Sequence, residues 1–360
     1  MAKIGSLQET VKKTCFRFFA GALALASAGS PRLGAGGDTL PKPEPAAVYN
    51  RTLWRAKYVR PRSIPFPPDN QFSKERELLG RALFFDPRLS GSKFIACATC
   101  HNPGLSWGDA LSKGVGDGMK ELQRRTPTIL NAAWAGLLFW DGRAESLEEQ
   151  ALEPIASQAE MNQSLDGMLA VVMSIPGYQA LFGRAYPREK VTPKTVGRAI
   201  ATFERTVVSG HTPFDGWVSG WEFAISEPAK RGFDLFNTKA ACEKCHDGWN
   251  FTDYGFHDIG VAGADEGRGA KVPLESMRHA FKTPTLRDSD RRGPYMHDGS
   301  ERSLEDVIEL YDLGGREKRP SLAPEIVPLH LTMQEKADLI AFLKTLTSDD
   351  KRIEIPILPR

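Results

Sequence analysis

Two five-residue runs, Cys97-Ala98-Thr99-Cys100-His101 and Cys242-Glu243-Lys244-Cys245-His246, constrain this chain more than any other feature. A lone Cys-x-x-Cys also suits zinc or thiol redox chemistry. A histidine directly after the second cysteine, present twice, points instead to covalent haem c: the cysteines are thioether anchors and His101 and His246 are axial ligands. With 360 residues there is room for two domains, each able to bury a core, and the well-separated motifs suit one haem per domain. The formal net charge of +2, with no basic run interleaved with aromatics, excludes a nucleic-acid or anionic-membrane partner.

The first residues read as an export signal, with Lys3, Lys12, Lys13 and Arg17, the apolar stretch from Phe18, and Ala26-Ser27-Ala28 as a cleavage site (residues 1–28). No later run reaches the ~20 apolar residues of a membrane helix, so the expectation is a periplasmic protein without a transmembrane segment. Cys15 falls in the signal, and the other four cysteines are committed to haem. The Pro- and Gly-rich stretch 29–69 reads as an arm or linker.

Helical signals dominate from Ser73, which predicts an all-α fold of two cytochrome c-like domains packed with their haems near the interface. Residues 70–210 form the first domain, 211–225 an interdomain segment containing Trp217 and Trp221, and 226–360 the second. Predicted helices are Ser73 to Phe85, one opened by Ser146 and ending near Pro154, Thr195 to Val208, Pro228 to Phe236, one capped by Ser303 and stopped at Gly314-Gly315, and Thr332 to Thr347. Asn102 to Gln123 reads as irregular.

From about Leu78 to Thr347 the sequence resembles the bacterial dihaem cytochrome c peroxidase family, and within it the MauG-like branch. The matching segments are Leu83-Phe84-Phe85-Asp86-Pro87-Arg88-Leu89-Ser90, Phe139-Trp140-Asp141-Gly142-Arg143-Ala144, Ala159-Glu160-Met161-Asn162, Phe281-Lys282-Thr283-Pro284-Thr285-Leu286-Arg287 and Gly293-Pro294-Tyr295-Met296-His297-Asp298-Gly299. The resemblance implies that the N-terminal haem meets hydrogen peroxide while the C-terminal haem stores or relays electrons. Glu160 matches the distal carboxylate that would move a proton between the peroxide oxygens. Gln150 and Pro154 match the lining of the same pocket, Trp140 the residue between the haems, and His257 and His297 positions that hold propionates and hydrogen-bond networks.

Three departures from the usual family pattern matter. Typical members block the N-terminal iron with a histidine from the loop after the motif; Asn102 to Thr126 has no histidine, and its one soft donor is Met119, so a five-coordinate iron is expected. The second haem's usual methionine is replaced by Tyr311, with Met333 and Met296 as lower-ranked candidates. The family's calcium ligands, an Asn before Thr-Pro and a Thr before Pro-Tyr, are replaced by Arg125 and Arg292, which supply no side-chain oxygen. The surface tryptophan of the MauG-like branch corresponds to Ala240, leaving Trp217, Trp221 or Trp249 as exits for an oxidising equivalent. Three functions follow: a MauG-like enzyme that oxidises a partner protein, a peroxide-detoxifying enzyme fed by a small exported cytochrome c or cupredoxin, and a non-enzymatic dihaem carrier. The first is preferred.

Overall fold

The computed structural model describes residues 45–349 and 353–360, so the expected signal and Cys15 lie outside the described residues. Twelve α-helices appear among these: α1 (Pro45–Lys57), α2 (Lys74–Phe84), α3 (Cys97–Cys100), α4 (Leu147–Gln150), α5 (Glu153–Ala156), α6 (Leu165–Ser174), α7 (Pro176–Ala185), α8 (Pro193–Arg205), α9 (Pro213–Val218), α10 (Glu227–Asn237), α11 (Leu304–Asp312) and α12 (Met333–Lys344). One antiparallel ribbon interrupts them, β1 (Phe256–His257) with β2 (Phe281–Lys282), in the register Phe256 to Lys282 and His257 to Phe281. The fold is thus mostly helical, as expected, with this small exception.

Capping chemistry sets the helix starts. Ser73, Ser226 and Ser303 accept from the backbone N–H groups of Arg76, Ala229 and Asp306, while Thr192 and Thr332 exchange reciprocal hydrogen bonds with Thr195 and Glu335. Helix α11 stops where Gly314 and Gly315 take φ of 70° and 84°, a conformation open to glycine at little cost.

Two main apolar cores result. The first gathers Leu79, Leu83, Phe84, Met168, Tyr178, Phe182, Val196, Ile200 and Phe203 from α2, α6, α7 and α8. The second is aromatic, joining Tyr58, Phe214, Trp217, Phe233, Phe236, Phe251 and Phe342. Each fully buried ring or branched chain contributes roughly 1.5–3 kcal/mol relative to exposure. In each core two helices cross at a glycine. A Cβ on Gly80 of α2 would overlap the Ala199 carbonyl of α8, and one on Gly232 of α10 would overlap the Asp338 carbonyl of α12.

Several expectations need correction. The stretch expected to be an arm contains α1, because Pro45 occupies the first helical position, where its missing N–H is not needed. Arg51 of α1 reaches Asp234 at 2.7 Å, and Tyr58, just after it, is fully buried in the second core. Asn70, where the first domain is expected to begin, is fully buried and donates to Glu148 at 2.8 Å and to the Arg198 carbonyl at 2.9 Å. The segment after Ser146 is two helices, α4 and α5, with Pro154 in the first turn of α5. Trp217 is 1% exposed within the second core, so it is no surface exit. The last residues return to the first core: the Gly177 N–H donates to the Arg360 carbonyl and Arg88 donates to that of Pro359, both at 2.9 Å.

Candidate functional site

Each Cys-x-x-Cys-His run folds so that its histidine is aimed by the backbone. In α3 the His101 N–H donates to the Cys97 carbonyl at 2.9 Å; the chain then reverses through Ser106 and Trp107, both at positive φ, bringing the Trp107 carbonyl within 3.3 Å of His101 Nδ1. The second run repeats the device, with His246 N–H to Cys242 at 2.8 Å and Nδ1 3.0 Å from the carbonyl of Phe251, which also has positive φ. A carbonyl can only accept, so Nδ1 carries the proton in both rings and each Nε2 keeps a free lone pair. Burial lowers the pKa of both imidazoles and keeps them neutral. Burial likewise pushes the Cys100 thiol up to about 11, with smaller contributions from Asp109 and Glu160, and the Cys242 thiol up to about 12.

Both runs open into one continuous, mostly apolar cavity of about 720 Å³. It is lined by Cys97, Cys100, His101, Cys242, Cys245 and His246, and also by Trp140, Gln150, Pro154, Glu160, His257, His297, Met296 and Tyr311. Residues more than 200 positions apart in the chain, Cys97 and Tyr311, therefore face one space, and every residue singled out as catalytic or haem-binding reaches it. Met119 and Met333 do not; they are 83% and 82% exposed, which removes both as ligand candidates.

Counting residue for residue from Thr126-Pro127 and from Thr283-Pro284 reveals an internal repeat that the sequence reading missed. Trp140 falls opposite His297, Gly142 opposite Gly299, Ser146 opposite Ser303 and Pro154 opposite Tyr311. The backbone follows it: Gly142 and Gly299 have φ of 67° and 70°, and the bridges Leu138–Ala144 and Tyr295–Glu301 correspond. The two copies exchange equivalent hydrogen bonds. Arg125 N–H donates to the His297 carbonyl, and Lys282 N–H to that of Trp140, each at 2.8 Å. The Trp140 ring is fixed by Nε1 donating to the Arg125 carbonyl at 2.8 Å, while the His297 ring stacks on Phe281 with centroids 3.5 Å apart.

Within this symmetry the two sides of the cavity differ. Helix α11 runs unbroken to place Tyr311 in its last turn, and the Tyr311 hydroxyl makes no hydrogen bond among the described residues. Burial, then the Cys242 and Cys245 thiols, push its pKa up. In the other copy, Pro154 replaces the phenol with a ring that has no donor atom. Glu160 follows on a pinned turn: its carbonyl accepts from Asp117 N–H at 2.6 Å, and the next residue's, Met161, accepts from Gly91 N–H at 2.8 Å. Gly116 is required there, since any Cβ would overlap the Ala159 carbonyl.

His257 donates through Nε2 to Asp253 at 2.7 Å, and that bond, with a contribution from Cys245, pushes the imidazole up to about 10. Cys245, Asp253 and His257 each place a ligand atom within 4.8 Å of the others, but Cys245 belongs to the second motif. Glu204 on α8 was missed by sequence reasoning. It is 3% exposed and lines the cavity, and its Oε2 has no partner. Burial pushes its carboxyl up to about 8 against the pull of Arg205. Of the remaining tryptophans, Trp221 is 65% exposed, and Trp249 is half-buried and edge-on to Trp134 at 4.7 Å. Ala240 is buried against the cavity.

The free Nε2 atoms, paired thiols and unpartnered Tyr311 hydroxyl form a donor set that fits two haem c groups. Residues 74–222 match the family model described as di-haem cytochrome c peroxidase. The chain is 51% identical to the methylamine utilization protein MauG of Methylorubrum extorquens over 87% of this chain and 90% of that one, and 47% identical to the MauG of Methylophilus methylotrophus over 85% and 92%. Among solved structures, a MauG-like protein associated with microbial copper homeostasis superposes with a TM-score of 0.75 at 32% identity, covering 81% of this chain and 94% of that one. The chain belongs to the dihaem cytochrome c peroxidase and MauG family. It is a dihaem oxidoreductase of the peroxidase type.

Proposed function

We propose that this protein is an exported dihaem c-type peroxidase of the MauG-like kind, reducing hydrogen peroxide at an N-terminal haem and oxidising a partner protein with the equivalents held over both haems. The two haem domains are built on residues 70–210, against which the last residues also pack, and on 226–360, whose core also takes in Tyr58, Phe214 and Trp217, with Cys97, Cys100 and His101 holding one group and Cys242, Cys245, His246 and Tyr311 the other. When bound, the haems supply the iron at which the O–O bond is cleaved and from which electrons are drawn.

The chain's own residues do the rest. His101 and His246 offer Nε2 with Nδ1 tied to a carbonyl, which fixes each ring's orientation and makes it a stronger donor. Glu160 takes the proton from the inner oxygen of peroxide and returns it to the outer one, so that water leaves. Gln150 and Pro154 wall that pocket; Pro154 offers no competing ligand. Trp140, whose ring is fixed within its own copy by the bond to Arg125 and whose carbonyl accepts from Lys282 of the other copy, carries the second equivalent across. Tyr311 supplies a hard oxygen donor, which favours oxidised iron over reduced.

The asymmetry of the cavity carries this reading: Glu160 with Pro154 on one side, Tyr311 on the other. Its test is stopped-flow absorbance of the all-ferric protein mixed with one equivalent of peroxide and no reductant. Fast, long-lived changes at both haems support the proposal. No reaction until one electron is added, with rapid turnover on reduced cytochrome c, would establish instead a detoxifying cytochrome c peroxidase cycle.

A further inference from the structure

Arg125 and Arg292 are each 6% exposed, they line the cavity between the two motifs, and no carboxylate among the described residues comes within 4.0 Å of either guanidinium. The hydrogen bonds they do make go to main-chain oxygens. Arg125 donates to the Arg292 carbonyl, and Arg292 donates to the carbonyls of Thr285 at 2.6 Å, Arg287 at 2.9 Å and Asp288 at 3.3 Å. Arg125 Nε is buried without a partner.

Carbonyl oxygens converging on one point are what a hard divalent cation binds. Here guanidinium N–H groups take them, and the side chains at both positions repel a cation, so the residues present do not fit the family's calcium. Two buried like charges carry a penalty of several kcal/mol per ion unless an anion compensates them. Asp109 and Asp288 are the nearest acids acting on them, at longer range. Burial lowers the pKa of both arginines, that of Arg292 to about 10 with Arg125's charge contributing. Both arginines line the cavity that, on the reading above, holds two haems with carboxylate side chains.

We propose that Arg125 and Arg292 form a built-in cation pair that replaces calcium at the junction of the two copies and binds haem propionate carboxylates there. This rests on the dihaem reading, and the test separates the two. Holoprotein purified without chelator, exposed to millimolar calcium and desalted, is analysed for haem and for metal. Two haems with no retained calcium, and a visible spectrum and melting temperature unmoved by a calcium chelator, support the proposal. Two haems with one calcium per chain overturn it while leaving the function intact; fewer than two haems strike the function itself.

A redox titration of Arg292→Met and Arg292→Lys adds a readout that a packing role would not move. Removing a positive charge beside the carboxylates disfavours the reduced state, so Met lowers at least one haem midpoint potential and Lys restores part of the loss. An unchanged potential in Arg292→Met refutes the proposal. Should that variant not accumulate, the metal analysis of the unaltered protein still decides.

Discussion

Replacing Gly80 by alanine adds one methyl group where α2 meets α8, and the structure sets the cost. The new Cβ overlaps the Ala199 carbonyl oxygen, while real Cβ atoms keep at least 3.0 Å from such atoms, so the helices must part by about 1 Å. A main-chain carbonyl inside a helix cannot rotate away, which places the penalty near the top of the ~1–3 kcal/mol range for overpacking. Alanine's better helix propensity returns ~1 kcal/mol, leaving a net loss of about 2 kcal/mol. At ~2–4 °C per kcal/mol this lowers the melting temperature by about 4–8 °C. Gly183→Ala is the control, since Gly183 sits exposed in α7 with nothing within 4 Å of its added Cβ. There the propensity gain stands alone, up to ~1 kcal/mol of stabilisation. Thermal unfolding followed by far-ultraviolet dichroism on the two holoproteins compares the same substitution with opposite expected signs. A Gly80→Ala protein as stable as the parent would refute the crossing geometry.

Glu160→Gln keeps the pocket's shape but cannot accept a proton, and slows the peroxide reaction by roughly 10²–10⁴-fold in stopped-flow absorbance; a near-normal rate removes Glu160 from proton transfer. Tyr311→Phe deletes the oxygen donor with little change in packing, so the low-temperature electron resonance of the haem held by His246 changes while that of the other haem persists; an unaltered spectrum removes Tyr311 as a ligand. Arg287 is fully buried and pairs with Asp215 at 2.8 and 2.9 Å, so Arg287→Met costs ~3–5 kcal/mol, toward the lower end because Arg60 still reaches Asp215 at 3.2 Å. Burial alone would raise the Asp215 pKa, but Arg287 and Arg60 outweigh it and hold the carboxyl below its ordinary range. Its contribution is therefore complete above the unfolded value of about 3.9 and lost as pH falls through the lower folded value. Acid-unfolding curves of Arg287→Met shift to higher pH; coincident curves refute the linkage.

What the sequence showed, and what it hid, follows from how local the chemistry is. Haem attachment needs two cysteines and a histidine in one turn, so Cys97 to His101 and Cys242 to His246 are legible residue by residue. Caps such as Ser303 with Asp306 span one turn and were equally readable. Helix α6 escaped notice because Leu165–Ser174 is apolar on nearly every face and has no amphipathic rhythm. Helix α1 was hidden behind prolines that end at its first residue. Glu204 was invisible because its environment is made by chain far from it, Cys97 and Glu148 among its neighbours. The internal repeat was obscured because its paired positions carry different residues, Trp140 against His297 and Pro154 against Tyr311; only the shared turns and exchanged hydrogen bonds reveal it.

Those exchanged bonds also bear on how the chain would behave if it were cut. The Arg125 N–H finds its partner on the His297 segment and the Lys282 N–H on the Trp140 segment, so neither copy satisfies its own main chain alone. A single nick between α8 and α9 would leave two fragments that still need each other, and they would co-purify as one particle. Expressed separately, each would carry an orphaned amide and an uncovered Trp140 or His297 face. Cleavage would turn one chain into an obligate pair, held together by the hydrogen bonds that join its two copies.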